Sequence, residues 1–130
     1  MAVGDDGRPK EKPLIWIGSC RRDLQAFPEP VKDVMGYALH LAQFGDKHSD
    51  AKPLKGRGGG ILEIIEDFDG DAYRAVYTVK LEGAVYGLHA FQKKSTKGIA
   101  TPQKHLNLVE SRMKLAIEHH ERHFAQEKKR

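Results

Sequence analysis

The stretch Ala72-Tyr-Arg-Ala-Val-Tyr-Thr-Val-Lys80, joined by Leu81-Glu-Gly83 to Ala84-Val-Tyr-Gly-Leu-His-Ala-Phe-Gln-Lys-Lys-Ser95, decides the fold. Both arms are rich in Val, Tyr, Phe and Thr, alternate in character, and are linked by a short glycine-bearing connection, which is the pattern of a β-hairpin. Period two places Tyr73, Ala75, Tyr77 and Val79 on one face of the first arm, with Arg74, Val76, Thr78 and Lys80 on the other. In the second arm Val85, Gly87, His89 and Phe91 alternate with Tyr86, Leu88, Ala90 and Gln92. The hairpin therefore carries an arginine in mid-strand, a histidine on its second arm, and Lys93 and Lys94 where that arm ends. Cations fixed on a rigid sheet suit a surface that handles phosphate. Gly87 is out of character for a central strand: it either weakens the strand or admits a close approach of backbone.

Working upstream, Ile61-Leu-Glu-Ile-Ile-Glu-Asp-Phe68 reads as another strand, turned by Asp69-Gly70-Asp71 into the hairpin. The expected unit is a three-stranded antiparallel meander over residues 61–68, 72–80 and 84–94. Glu63, Glu66, Asp67, Asp69 and Asp71 gather around its first turn. They read as a solvated turn rather than a metal site, because the turn is tight and no histidine is spaced among them. Before the meander, residues 45–60 hold Lys47, His48, Lys52, Lys55 and Arg57 against Asp46 and Asp50 and end in a glycine run. This segment is expected to be a long cationic loop whose glycine-turn amides can approach phosphate. It lacks the Walker pattern and opens no helix, and a solvated loop with ordinary surface lysines is an equal alternative.

Leu14-Ile15-Trp16-Ile17 is a short apolar run closed by Gly18, the form of a buried strand, after which Ser19 is expected to cap a short helix through Ala26. Pro28-Glu29-Pro30 opens a second helix, in which Val31, Val34, Met35, Ala38, Leu39 and Ala42 recur at helical spacing. Downstream, Thr101-Pro102 predicts an N-cap and first-turn proline for a helix to about His120, with Leu106, Val109, Met113, Ala116 and Ile117 on its apolar stripe. His119 and His123 stand one turn apart. A solvated helix end is a better reading than a zinc pair, since no cysteine or suitable third ligand is evident beyond His120.

The predicted class is α+β: a small twisted, mainly antiparallel sheet with two N-terminal helices and a C-terminal helix. Residues 1–12 read as a flexible arm, 13–120 as one domain and 121–130 as a charged tail, within a chain of 130 residues. The net charge of +4 suggests an acidic partner, either nucleic acid or an acidic protein. The single cysteine, Cys20, excludes an internal disulfide and fits a reducing compartment. With no apolar signal core at the N-terminus and no run of membrane length, a soluble cytoplasmic protein is expected, with no membrane contact.

The element order and several local phrases together resemble the RelE/ParE superfamily of toxins from type II toxin–antitoxin modules, most of all its phage-related HigB-like branch. The phrases are Trp16-Ile-Gly-Ser19, Asp23-Leu24 with Phe27-Pro28, Gly36-Tyr37-Ala38-Leu39, Lys52-Pro-Leu-Lys55-Gly56, Tyr73-Arg74-Ala-Val-Tyr77 and Leu88-His89-Ala-Phe91-Gln-Lys-Lys94-Ser95. The last of these, at its distance from the Tyr-Arg-x-x-Tyr phrase, is the most specific. The resemblance implies a RelE-like fold and a toxin that enters the ribosomal A site and cuts messenger RNA by attack of a 2′-hydroxyl on the adjacent phosphate, with no metal and no cofactor. It implies a helix-turn-helix antitoxin as partner.

By the same resemblance Arg74 is the phosphate clamp, Lys52 and Lys55 serve substrate binding and proton transfer, and Lys93 and Lys94 form the cationic end of the last strand. Arg57 and Lys97 are further expected RNA contacts, and His89 is the alternative acid or base. Each role has a competitor. Arg74 can instead pair with Glu63 or Glu66, His89 can be a satisfied core histidine, and Tyr37, Tyr73, Tyr77 and Tyr86 can be packing residues. A ParE-like, non-catalytic inhibitor of DNA gyrase is the alternative function on this fold, and a structural phage protein a third; the clustered cations favour RNA cleavage.

Overall fold

The computed structural model describes residues 10–57, 59–93 and 101–124. Lys94 and Lys97 lie outside the described residues, as do most of the expected arm and tail. The chain runs β1 (Leu14–Trp16), α1 (Cys20–Gln25), α2 (Glu29–Gln43), β2 (Ala51–Pro53), β3 (Ile61–Phe68), β4 (Asp71–Thr78), β5 (Val85–Lys93) and α3 (Gln103–His123). Among the described residues the strands form one sheet in the order β1-β5-β4-β3-β2. The β3–β4–β5 meander is antiparallel and β2 adds antiparallel to β3, while β1 lies parallel to β5 on the opposite edge. The α+β class with a mainly antiparallel sheet stands as expected.

Helices cover both faces. Val31, Met35, Ala38, Leu39 and Ala42 of α2 meet Leu62, Ile64, Ala75, Tyr77 and Ala90 of the sheet, with Leu24 and Phe27 of the α1 region completing the layer. On the other face Val109, Met113 and Ala116 of α3 pack on Val76, Tyr86 and Leu88. The apolar stripes of α2 and α3 are thus what fix the sheet between them.

The segment at 45–60 is not only a loop. Ala51 is buried and β2 pairs in the register Lys52↔Glu63, and the Leu54 amide donates to the Ile61 carbonyl. Pro53 is compatible with pairing because β2 is an edge strand. Asp69 and Gly70, with φ of 53° and 85°, form the tight β3–β4 turn, a conformation that suits the Asp-Gly pair.

Simple alternation also fails in β5. Val76 pairs with His89 but Tyr77 pairs with Gly87, so Leu88 is an extra residue and the strand bulges there. The bulge changes the phase: Tyr86, Leu88, His89 and Phe91 share the α3 face, whereas Val85, Gly87 and Ala90 face α1 and α2. His89 and Phe91 thereby join Arg74 on one face. Gly87 is explained by the indole of Trp16, because a Cβ at this position would stand 2.7 Å from a ring carbon. The close approach is by a side chain, not by backbone.

Candidate functional site

The candidate site lies under the first turns of α3, where β3, β4, β5 and α1 all contribute. Arg74 is 2% exposed. Its Nη1 donates to Thr101 Oγ1 at 2.7 Å and lies 3.8 Å from Glu63 Oε2, and the Thr101 hydroxyl donates onward to that carboxylate at 3.3 Å. Thr101 therefore does not cap α3. No side chain caps that helix, and Pro102 occupies the N-cap position while its carbonyl accepts from the amides of His105 and Leu106. Of the two carboxylates open to Arg74 in the sequence, Glu63 is the partner. Glu66 opposes Tyr73 on the other face.

His89 lies one pair along β5 from Phe91 and is 5% exposed. Its Nδ1 is 3.3 Å from Arg112 Nη1, and its Nε2 is 2.8 Å from Nδ1 of His105. The His105 ring stacks on Phe91, with centroids 3.7 Å apart and planes within 10°. Burial first, and the positive charge of Arg112 second, push His89 down to about 4. It is neutral at neutral pH and does not titrate there as an unperturbed histidine would. Burial, then Lys104 and Arg74, lower His105 as well.

Arg112 ties this pair to α1. Its Nη1 also donates to the Leu88 carbonyl at 2.9 Å, and its Nη2 donates to Ser19 Oγ at 3.0 Å. The Ser19 hydroxyl donates in turn to Asp23 Oδ2 at 2.7 Å. Ser19 is thus a link to Arg112 rather than a side-chain cap for α1. Gly18, with φ of 57°, makes room for the guanidinium: a Cβ there would lie 2.9 Å from its Nε.

The expected lysines are placed around this cluster. Lys52 is exposed and opposes Glu63 in register, so both side chains leave the sheet on the α3 face. Lys55 is exposed in the turn after Leu54, and Lys93 is half-exposed at the end of β5, opposite Ala72. Arg57 lies 3.6 Å from Glu110, which ties the basic turn to α3. Arg74 and His89 therefore share one face of neighbouring strands, and Lys52 lies on the rung that runs through Glu63 and Val76 to His89.

Sequence reasoning missed His105 and Arg112. The signal was present: His105, Val109, Arg112 and Ala116 fall at i, i+4, i+7 and i+11, so two polar residues sit on the buried stripe of α3.

Other expectations change. The acidic group is not a solvated turn throughout, since Glu63 holds Arg74 and Glu66 is half-buried and pushed up to about 7, by burial first and then by the Asp50 carboxyl beside it. Among the described residues no group of three His, Cys, Asp or Glu side chains is arranged to hold a metal ion. The end of α3 is not fully solvated: His119 Nδ1 is 2.8 Å from the hydroxyl of buried Tyr86, and His120 Nε2 is 2.7 Å from the Glu82 carbonyl. Cys20 is buried and its thiol pushed up to about 12, mainly by that burial, which makes it inert. A cleft between β1, α1 and α2 is floored by Leu14, Trp16, Leu24 and Leu39, with Arg21 and Lys32 among its lining, and contains no acid–base pair. No helix among the described residues is long and apolar enough to cross a membrane.

A profile of the phage derived protein Gp49-like family (DUF891) matches residues 22–114, more than half of the chain. The matched span contains Glu63, Arg74, His89, His105 and Arg112. No curated protein matches this chain. Among solved structures, that of the toxin–antitoxin complex RelBE2 from Mycobacterium tuberculosis is similar, with a TM-score of 0.43 and 19% identity, covering 65% of this chain and 94% of that one.

Proposed function

This chain belongs to the phage derived Gp49-like family, and we propose that it is a RelE-superfamily toxin of a type II toxin–antitoxin module that cuts messenger RNA on the ribosome. The observation that carries the reading is the pair of hydrogen-bonded groups on the α3 face, Arg74–Thr101–Glu63 and Arg112–His89–His105, with exposed Lys52 opposite Glu63.

In the proposed reaction the RNA 2′-oxygen bonds to the neighbouring phosphorus as the bond to the 5′-oxygen breaks. The proton lost from the 2′-hydroxyl is balanced by one delivered to the leaving oxygen. Negative charge builds on the phosphorane-like transition state, where fixed donors act most strongly. Arg74 supplies the planar guanidinium suited to two phosphate oxygens. RNA phosphate takes over the guanidinium contact that Thr101 and Glu63 hold in its absence. Lys52 and Lys55 draw in the backbone, and Lys55 or Lys93 moves the proton that neutral, enclosed His89 does not. Arg57 is a further proposed RNA contact, as are Lys94 and Lys97 by their place in the sequence. The proposed partner is a helix-turn-helix antitoxin, acidic where it meets this surface, whose binding weakens with added salt; the proposed place of action is the cytoplasm.

One observation favours the gyrase-inhibitor reading: only 3% of the Arg74 side chain is exposed, and its Nη1 is already bonded. Induction in bacteria with primer extension on a translated message separates the two. New 5′ ends in that message, formed only while it is translated, are the expected result. Intact messages together with trapped gyrase–DNA complexes would overturn the nuclease and leave the inhibitor.

A further inference from the structure

Arg112 fixes the direction of every hydrogen bond that follows it. A guanidinium donates and never accepts, so the His89 Nδ1 that it meets at 3.3 Å carries no proton. Neutral His89 then carries its proton on Nε2 and donates it across 2.8 Å to His105 Nδ1. His105, accepting at Nδ1, must hold its own proton on Nε2, the ring nitrogen turned away from His89. The other end is equally directed, because Arg112 Nη2 donates to Ser19 Oγ and that hydroxyl is committed to Asp23.

We infer that His105 is a catalytic residue of the proposed RNA-cleaving site, acting as a neutral N–H donor to the scissile phosphate rather than as an acid or base. The inference rests on the nuclease reading and adds to it a residue and a protonation state. Hydrogen bonds aligned in one direction polarise one another, so the chain from Arg112 through His89 leaves its positive end at the His105 Nε2–H. That ring is half-exposed, whereas His89 is enclosed. It is held flat against Phe91 at 3.7 Å, which fixes its orientation without consuming the outward nitrogen. Phe91 is the cross-strand partner of Arg74, so the imidazole stacked on it lies on the same face as the guanidinium, whose charge lowers its proton affinity. The charged groups facing the pair are Arg74 from β4, Arg112 and Lys104 from α3, and Asp23 from α1, with Glu63 from β3 on the far side of Arg74. His89 is a positioning residue in this arrangement: it holds the tautomer.

Two substitutions separate the possible roles. His105→Gln places an amide N–H near the position of Nε2 and keeps a donor. His105→Asn places a carbonyl near Nδ1, keeping the acceptor for His89 and losing the outward donor. Cleavage of a translated message on ribosomes is measured for both and for the wild type between about pH 6 and 8, together with the imidazole ¹⁵N shifts of the wild-type protein. The Asn variant is expected to lose about 10²–10³-fold in rate, with the Gln variant well above it. The wild-type rate should show no titration assignable to His105, and the shifts should report a proton on His105 Nε2.

An active wild type with a fully active Asn variant overturns the donor role and leaves the nuclease. Equal loss in both variants makes His105 an acid or base and also overturns it, as does a His105 proton found on Nδ1. A wild type that leaves messages whole overturns the nuclease reading itself.

Discussion

The two faces of the sheet are closed by different physics. Against α1 and α2, Met35, Ala38, Leu39, Ile64 and Val85 are at most 3% exposed and the layer is held by removal of apolar surface from water. Against α3 the apolar contacts of Leu106, Val109, Met113 and Ala116 share the interface with polar ones. Its first turns are held by Arg74 with Thr101, and by the path from Arg112 through His89 to His105. An apolar layer gives nothing back to a charged ligand. A polar one can exchange its bonds for those of a phosphate, as proposed for the Arg74 contacts with Thr101 and Glu63. Chemistry is therefore expected only on the α3 face.

The largest test of that contrast is Arg74→Ala. It removes the proposed phosphate clamp and leaves Glu63, whose side chain is 13% exposed, without its cation. Cleavage is expected to fall about 10²–10³-fold and stability by roughly 3 kcal/mol, read as growth arrest at matched expression and as a denaturant midpoint. From the sequence alone the truncation is expected to abolish cleavage and leave the melt nearly intact; burial of the guanidinium adds the loss of stability. Arg74→Lys keeps the charge and sharpens the result: recovery of stability without recovery of cleavage identifies the guanidinium fork as the catalytic feature. A fully toxic Ala variant at matched expression would remove Arg74 from the site.

Gly87→Ala strains the opposite face. The new Cβ would stand 2.7 Å from the Trp16 ring and 3.5 Å from Cys20 Sγ, so β1 or the indole must shift. A loss of about 1–3 kcal/mol is expected from overpacking, seen in the thermal melt. At temperatures where the variant is folded, cleavage should be close to wild type. Loss of cleavage at full stability would mean that the faces are not separable in the way described.

The reading of the sequence succeeded where periodicity is strong and local. The strands 61–68, 71–78 and 85–93, and helices α2 and α3, follow from period two and period 3.6. It failed where one residue changes the phase or where partners are distant in sequence. The bulge at Leu88 is invisible to simple alternation, yet it decides that His89 and Phe91 share the face of Arg74. The three-residue strand β2 is too short to show a period and forms because Ala51 and Leu54 find burial beside β3. Thr101 and Ser19 look like helix caps, but tertiary partners at Arg74 and Arg112 take their hydroxyls. Arg74 and His89 were legible as site candidates from their hairpin. His105 and Arg112 stand out in the sequence only as polar residues on an apolar stripe, a signal that acquires meaning once the face they meet is known.

A smaller effect is expected from the exposed cations. Lys52→Ala with Lys55→Ala should leave the denaturant midpoint within roughly 0.5 kcal/mol, since neither side chain is buried. Cleavage should weaken and depend less steeply on salt, as phosphate contacts are lost. An unchanged salt dependence would confine the working site to the buried cluster and remove β2 from it.

The last comparison sets the two faces against each other by pH. On the α3 face His89 has a folded-state pKa lowered from 6.5 to about 4, mainly by burial and then by Arg112. The unfolded chain takes up this proton first, so the stability that neutral His89 contributes is present above about 6.5 and is lost as pH falls toward 4. On the other face Glu66 has a pKa raised from 4.5 to about 7, by burial and by Asp50. The folded state takes up that proton first, so its contribution is complete below 4.5 and is lost as pH rises through about 7. The two effects oppose each other between those limits. His89→Asn should therefore make the protein less sensitive to acid than the wild type, and Glu66→Gln should make it more sensitive. Each difference should be on the order of 1 kcal/mol, Glu66 being half-exposed and screened by solvent. Referring each variant to wild type across the same series of denaturation curves cancels the groups common to all three. Shifts of the same sign in both variants would mean that the histidine is not held neutral by Arg112 and burial, and the directed chain to His105 would lose its starting point.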